Sequence, residues 1–258
     1  MGFRNFMIVA ASDIHGKLNE FLLSQISEAE LFLFAGDIAS CNESRRLFFK
    51  YYGKKPPAAE LKRAEKKDME ETKRLLRQME TLDVPVCVVR GNAEMYHTES
   101  LGSYDDFIKD FDIINLDGDI YKHKGIKVGG IGFFEEVEKL EITETATEER
   151  VKRARKQEIA AKKKLGNLKG IDILISHDPP QGFLDRVTAP RAPENVKNKH
   201  IGSFLIRKFL EKEEPRFHLC GHIHEGRGEA RLGKTTILNV GNEKGEIVTI
   251  EGELFNWV

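Results

Sequence analysis

Five short apolar runs, at residues 6–11, 31–34, 84–89, 171–175 and 217–219, are each followed closely by a cluster of polar residues. Runs of this length, bounded by turn residues, predict buried strands. The clusters are Asp13-Ile14-His15, Gly36-Asp37, Gly91-Asn92, His177 and Gly221-His222-Ile223-His224. Helical patterns lie between several of the runs. One covers residues 18–29, and another covers 60–79, where Leu61, Ala64, Met69, Thr72, Leu75, Leu76 and Met79 recur at helical spacing. Strand and helix therefore alternate, which predicts an α/β layered fold. Glycine-punctuated runs within 112–134, and further runs at 235–240 and 246–250, look like hairpins and add a mixed or second sheet.

With 258 residues and neither an internal repeat nor a low-complexity linker, the chain reads as a single domain, 1–258. Two densely charged stretches, near 44–80 and 135–169, are expected to be helical insertions on its surface. The second contains Thr145-x-x-Glu148, a capping-box pattern, and closes near Gly166. The 41 basic and 42 acidic residues leave a net charge of -1, which argues against a surface built throughout for nucleic acid or anionic membrane. Cys41, Cys87 and Cys220 are odd in number, with no C-x-x-C pair, as expected in a reducing compartment. No run approaches the roughly 18 apolar residues of a membrane span. The expectation is a cytoplasmic protein with no membrane partner, its oligomeric state unread.

Ligands of open α/β sheets gather at the carboxyl ends of strands, so the five clusters can converge in one crevice. Singly, an Asp-x-His pair or a Gly-Asp turn is common. Their joint occurrence, each at the same place relative to its strand, points to one shared site. Two divalent ions about 3.5 to 4 Å apart can clamp a phosphoryl group and supply hydroxide at neutral pH. Such a centre needs a carboxylate able to bridge the ions, for which Asp37 is the natural choice, with neutral nitrogen and oxygen donors around it. Imidazole and carboxylate without thiolate suit manganese, iron, cobalt, nickel or zinc rather than a closed structural zinc site. The glycines in these clusters would let backbone approach a crowded centre.

As an ordered set, these motifs resemble the calcineurin-like metallophosphoesterase superfamily, whose pattern runs D-x-H, G-D, G-N-H-[DE], H and G-H-x-H. The match covers residues 13–224. The resemblance implies a four-layer α/β/β/α sandwich of two mixed β-sheets flanked by helices. It implies two divalent metal ions, manganese first among the candidates, with Asp13, His15, Asp37 and His224 on one and Asp37, Asn92, His177 and His222 on the other. A metal-bridging hydroxide would attack phosphorus in line, with Asn92 helping to stabilise the developing charge.

The chain departs from that pattern at one position. It reads Gly91-Asn92-Ala93-Glu94, so the histidine that assists the leaving group in the family is replaced by Ala93. General acid catalysis is typically worth about 10² to 10⁴-fold. The preferred reading is a substrate whose leaving group departs unaided. The alternatives are substitution by a second residue, with His97 the nearest candidate, removal of the histidine to trap substrate, and residual activity. For His97 itself, the alternative is a solvated loop histidine.

The favoured function is hydrolysis of a small-molecule phosphate ester, and a phosphodiester rather than a monoester, because family members without the histidine tend toward diesters. A metal-dependent nuclease is the second reading, with the near-neutral charge against it. A non-catalytic scaffold is the third, opposed by the full set of ligand positions. Arg45, Arg46, Tyr51, Tyr52, Lys54 and Lys55 line a phosphate-binding mouth or form solvated helix surface. Lys152, Arg153, Arg155, Lys156 and 162–164 form a nucleic-acid stripe or, with Glu148, Glu149 and Glu158 interleaved, an internally paired helix. Residues 200–203 open a helical pattern and resemble a segment near the substrate in some bacterial and archaeal members. Asp178 is a possible but unsupported acid. Cys220 reads as a buried strand residue.

Overall fold

The computed structural model describes residues 6–51, 56–94, 103–190, 192–241, 247–252 and 254–258. The chain begins with β1 (Met7–Ala11), α1 (Glu20–Glu28), β2 (Leu31–Phe34), α2 (Asn42–Lys50), α3 (Ala58–Glu80) and β3 (Val86–Val88). It continues through α4 (Tyr104–Ile108), β4 (Ile114–Asn115), β5 (Ile120–His123), β6 (Ile126–Ile131), α5 (Val137–Ile142), α6 (Glu148–Asn167) and β7 (Ile173–Ser176). The last elements are α7 (Phe204–Glu213), β8 (Phe217–Cys220), β9 (Gly228–Leu232), β10 (Thr235–Asn239), β11 (Val248–Glu251) and β12 (Leu254–Trp257).

Two mixed six-stranded sheets result, in the orders β12-β11-β1-β2-β3-β4 and β5-β6-β7-β8-β10-β9. In the first, β1 through β4 run parallel and β11 returns antiparallel against β1. In the second, β6, β7, β8 and β10 run parallel, with β5 and β9 antiparallel at the edges. Side chains alternate across a strand, so each sheet has two apolar faces to cover. Ile8 and Ala10 of β1 point into a core shared with Ile173, Ile175 and Leu219 of the other sheet. Val9 and Ala11 face the opposite way and meet Leu22 and Ile26 of α1 and Leu75, Leu76 and Met79 of α3. On the far side, Leu174, Cys220 and Ile237 are covered by Ala161 and Leu165 of α6 and by Ile206, Phe209 and Leu210 of α7. The four-layer α/β/β/α sandwich follows from these three cores.

Several helices are capped by side chains that answer their unsatisfied N–H groups. Asn19 Oδ1 accepts from Leu22 N at 2.7 Å, and Ser203 Oγ accepts from Ile206 N at 3.1 Å. The charged stretches differ in detail from expectation. Each is a pair of helices rather than one, α2 with α3 and α5 with α6. The cap of α6 is Thr147, whose hydroxyl accepts from Arg150 N, so the motif starts two residues later than the Thr145 pattern predicts. Thr145 instead exchanges a hydrogen bond with the Thr143 hydroxyl, because α5 and its turn occupy that stretch. Among the described residues, no helix is long and apolar enough to cross a membrane.

Candidate metal centre

The loops leaving β1 and β2 run side by side and continue the parallel pairing of their strands. Asp13 N donates to Gly36 O at 3.0 Å, His15 N to Asp37 O at 3.0 Å, and Gly16 N to Ile38 O at 2.8 Å. That ladder sets Asp13 and His15 against Asp37. Glu94 then ties in the loop after β3. Its carboxylate accepts from Gly91 N at 2.6 Å, Asp37 N at 3.0 Å and Ala39 N at 2.7 Å. The sequence gives Glu94 a motif position but no role, because two of its three partners are more than fifty residues away. From the second sheet, β7 delivers His177 and β8 delivers His222, with Gly221 N donating to His177 O at 3.0 Å.

The strand-end loops, within one sheet and between the two, approach closely enough to dictate glycine. A Cβ on Gly91 would lie 2.1 Å from Asp37 Oδ1, and one on Gly221 would lie 2.2 Å from Asp13 Oδ2. Four of the candidate ligands also hold left-handed backbone, Asp13 at φ 59, His15 at 45, Asp37 at 58 and His222 at 65. Non-glycine residues there are strained, and such strain collects at functional sites.

Two compact groups of potential metal donors form, Asp13 with His15 and His224, and Asp13 with Asp37 and His177, all donor atoms within each group lying within 4.8 Å of one another. Asp13 is common to both. Asp37 faces both sides as well, Oδ2 being 3.8 Å from His15 Nε2 and Oδ1 3.5 Å from His177 Nε2. The imidazoles pair off across the aspartates, with ring centroids 5.9 Å apart for His15 and His224 and 5.0 Å for His177 and His222. Asn92 Oδ1 lies 2.9 Å from His177 Nε2, and His224 Nε2 lies 3.2 Å from Asp13 Oδ1. His222 stands outside both compact groups, its Nε2 being 3.7 Å from Asp178 Oδ1. His97 lies outside the described residues.

Electrostatics fit a cation. Burial, reinforced by the charges of Glu94 and Asp13, pushes Asp37 up to about 7 despite the pull of His177. Burial also works to raise Asp13, but the hydrogen bond from His224 and the charges of His177 and His224 outweigh it and hold the carboxyl below its ordinary range. Burial pulls His177 down, yet Asp37, Asp13 and Asp178 leave it raised. His15 is lowered by burial, with Arg45 adding to the effect and Asp13 opposing it. The Asp37 carboxyl, raised by burial and by its acidic neighbours, is relieved by bound positive charge, and the donors are oxygen and imidazole nitrogen, as borderline divalent ions prefer. His177 is already oriented for that task. Its Nδ1–H donates to Ala35 O at 2.9 Å, which leaves Nε2 as the nitrogen facing Asp37 and Asn92.

Ala93 is buried, and its N–H donates to Asp37 Oδ1 at 2.7 Å, so this position contributes backbone to the centre. Residues 200–203 divide between two tasks. Ser203 caps α7, and His200 Nδ1 pairs at 2.5 Å with buried Asp185, which also accepts from Gly182 N and Gly202 N. Cys220 is buried in β8, and burial drives its thiol well above the usual range. Several basic residues of α6 are engaged with acids: Lys152 with Glu148, Arg153 with Glu135, Lys162 with Glu158 and Lys164 with Asp117. In the mouth cluster, Arg46 pairs with Glu43 and the Tyr51 hydroxyl donates to Glu60, while Tyr52, Lys54 and Lys55 lie outside the described residues.

A family model described as calcineurin-like phosphoesterase matches residues 6–226. Human metallophosphoesterase domain-containing protein 1 is 44% identical over 71 residues, covering 27% of this chain and 20% of that protein. An uncharacterized protein of Methanocaldococcus jannaschii is 40% identical over 75 residues, covering 28% of this chain and 32% of its own length. The matched segments thus span a third or less of these curated relatives. Among solved structures, phosphopantetheinyl hydrolase from Mycobacterium tuberculosis superposes with a TM-score of 0.56 at 13% identity, covering 95% of this chain and 92% of that one. A dimetal phosphatase from Danio rerio gives 0.51 at 11% identity, covering 100% and 99%. Both likenesses concern the fold.

Proposed function

The chain belongs to the calcineurin-like phosphoesterase family, and from that membership we propose that it is a metal-dependent hydrolase of phosphate esters, acting as one domain. The observation that carries the reading is the convergence, among the described residues, of strand-end side chains from both sheets into two compact donor groups sharing Asp13. Asp13, His15, Asp37 and His224 would hold one divalent ion, and Asp37, Asn92, His177 and His222 the other. Two bound ions would supply Lewis acidity toward phosphoryl oxygens and a nucleophilic water at neutral pH. Manganese is the first candidate, followed by iron, nickel, cobalt and zinc.

The chain's own residues then bind and orient. Ala35 fixes the His177 ring, Glu94 fixes the Asp37 loop, and Asn92 would help stabilise charge developing on the phosphoryl group. Arg45, whose charge is felt at His15, draws the anionic substrate toward the cleft. With alanine at position 93 no imidazole stands there to protonate a departing alkoxide, which favours diesters with good leaving groups. A small-molecule ester in the cytoplasm is preferred to nucleic acid, since the basic face of α6 is largely engaged with acids.

The test is a panel. Purified protein with Mn²⁺, Ni²⁺, Co²⁺, Zn²⁺ or Mg²⁺ is assayed against bis-p-nitrophenyl phosphate, p-nitrophenyl phosphate, cyclic nucleotides and single-stranded DNA. Turnover of the activated diester above the monoester is expected, fastest with Mn²⁺. Inactivity throughout, with metal demonstrably bound, would overturn the proposal.

A further inference from the structure

His222 is the candidate ligand least integrated with the others, and its surroundings hold the most anomalous polar atom near the centre. Asp178 follows His177 and is 1% exposed. Its Oδ2 accepts from Lys139 Nζ at 2.6 Å. Its Oδ1 is enclosed and, among the described residues, has no hydrogen-bond partner, while His222 Nε2 lies 3.7 Å from it. Leaving a buried carboxylate oxygen unsatisfied is costly, so such an atom is expected to have a partner in the working molecule.

The surrounding geometry limits what that partner is. Lys139 sits over the face of Phe133, its Nζ 5.3 Å from the ring centroid. The same ring packs against His177 and His222 at 6.0 and 5.6 Å. Lys139 comes from α5, in the second charged stretch, so this insertion reaches the wall of the centre. Metal-bound imidazoles usually donate their other N–H to a carboxylate, which fixes ring orientation and raises ligand basicity. A small turn of the His222 ring closes 3.7 Å to hydrogen-bond distance and satisfies Oδ1.

We propose that Asp178 is the positioning carboxylate of His222: it accepts the His222 Nε2–H, so that Nδ1 is the nitrogen left for the second divalent ion, and its charge is balanced by Lys139. This rests on the two-ion reading of the centre. The pair has unequal members. Asp178 acts through His222 on the ion, whereas Lys139 balances the Asp178 charge without orienting His222 and places repulsive positive charge near that ion.

The experiment is a calorimetric titration of the full chain, stripped of metal, with Mn²⁺. Wild type is expected to take up two ions. Asp178→Asn retains the first ion and binds the second 10 to 100-fold more weakly, the usual size of such an outer-partner loss. Lys139→Met keeps the second ion at or above wild-type affinity, because a repulsive charge has gone. The double variant behaves as Asp178→Asn. A purely architectural ion pair would instead weaken both single variants alike and recover in the double variant, and that pattern overturns the proposal. So does Asp178→Asn binding both ions as wild type does. Circular dichroism of each metal-free variant establishes that it is folded before the comparison is made. A folded wild-type chain that binds no ion overturns the two-ion reading itself, and this proposal with it.

Discussion

Position 93 and the Asp37 carboxyl define the chemistry at the scale of single residues. Ala93 is enclosed where the family carries its histidine, so Ala93→His is expected to raise turnover of esters with poor alkyl leaving groups by on the order of 10²-fold, while p-nitrophenyl esters gain little. A steep dependence of wild-type rate on leaving-group pKa, flattened in the variant, is the measurement. Asp37 is held up to about 7 in the metal-free protein, and His177 is raised as well. Both protons must leave as metal binds, so metal affinity rises as pH rises through about 7, and proton release is largest below it. Titration calorimetry in buffers of different ionisation enthalpy reads this directly, and pH-independent affinity would contradict it. The ligand positions are legible because each is a reactive residue type at a strand end. The sequence suggests no role for Glu94 and only an acid for Asp178, because their surroundings come from contacts made across the fold, to Asp37 and Ala39 in one case and to Lys139 and His222 in the other.

Elements were read best where burial is two-sided. The runs around β1, β2, β7 and β8 are predominantly apolar because both faces of these central strands are covered. β9 and β12 escaped notice: each is a sheet edge, and their mixed polar and apolar residues carry no buried run. The charged stretch near 44–80 looked like solvated surface, yet one of its acids is fully enclosed. Asp68 of α3 accepts from Glu43 N and Ser44 N, each at 2.9 Å, and from the Ser44 hydroxyl at 2.6 Å, so it caps α2 from a neighbouring helix. Ser40 N donates to Thr72 Oγ1 at 2.9 Å, which ties the same helix to the loop that carries Asp37. Asp68→Ala is expected to cost about 2 kcal/mol, through a lost cap and several charge-assisted bonds. Urea denaturation measures the loss, and a change within 0.5 kcal/mol would show that the cap is dispensable, as for a typical surface substitution.

The whole molecule brings two sheets together at one point through loops from both. β1, β2 and β3 of one sheet and β7 and β8 of the other all end at the centre, so bound ions would join the two halves of the sandwich. Metal is therefore expected to stabilise the fold by roughly 2.7 kcal/mol per ion at a free concentration 100 times Kd. Thermal unfolding with Mn²⁺ and with chelator measures it, and identical transitions would argue against ions at this junction. The left-handed backbone at Asp13, His15, Asp37 and His222 has a consequence of another kind. A lineage selected only for durability would exchange these residues for glycine one by one, and each exchange would relieve strain while dismantling the centre. Ancestral or laboratory-evolved sequences that keep all four would thus record selection for chemistry over robustness.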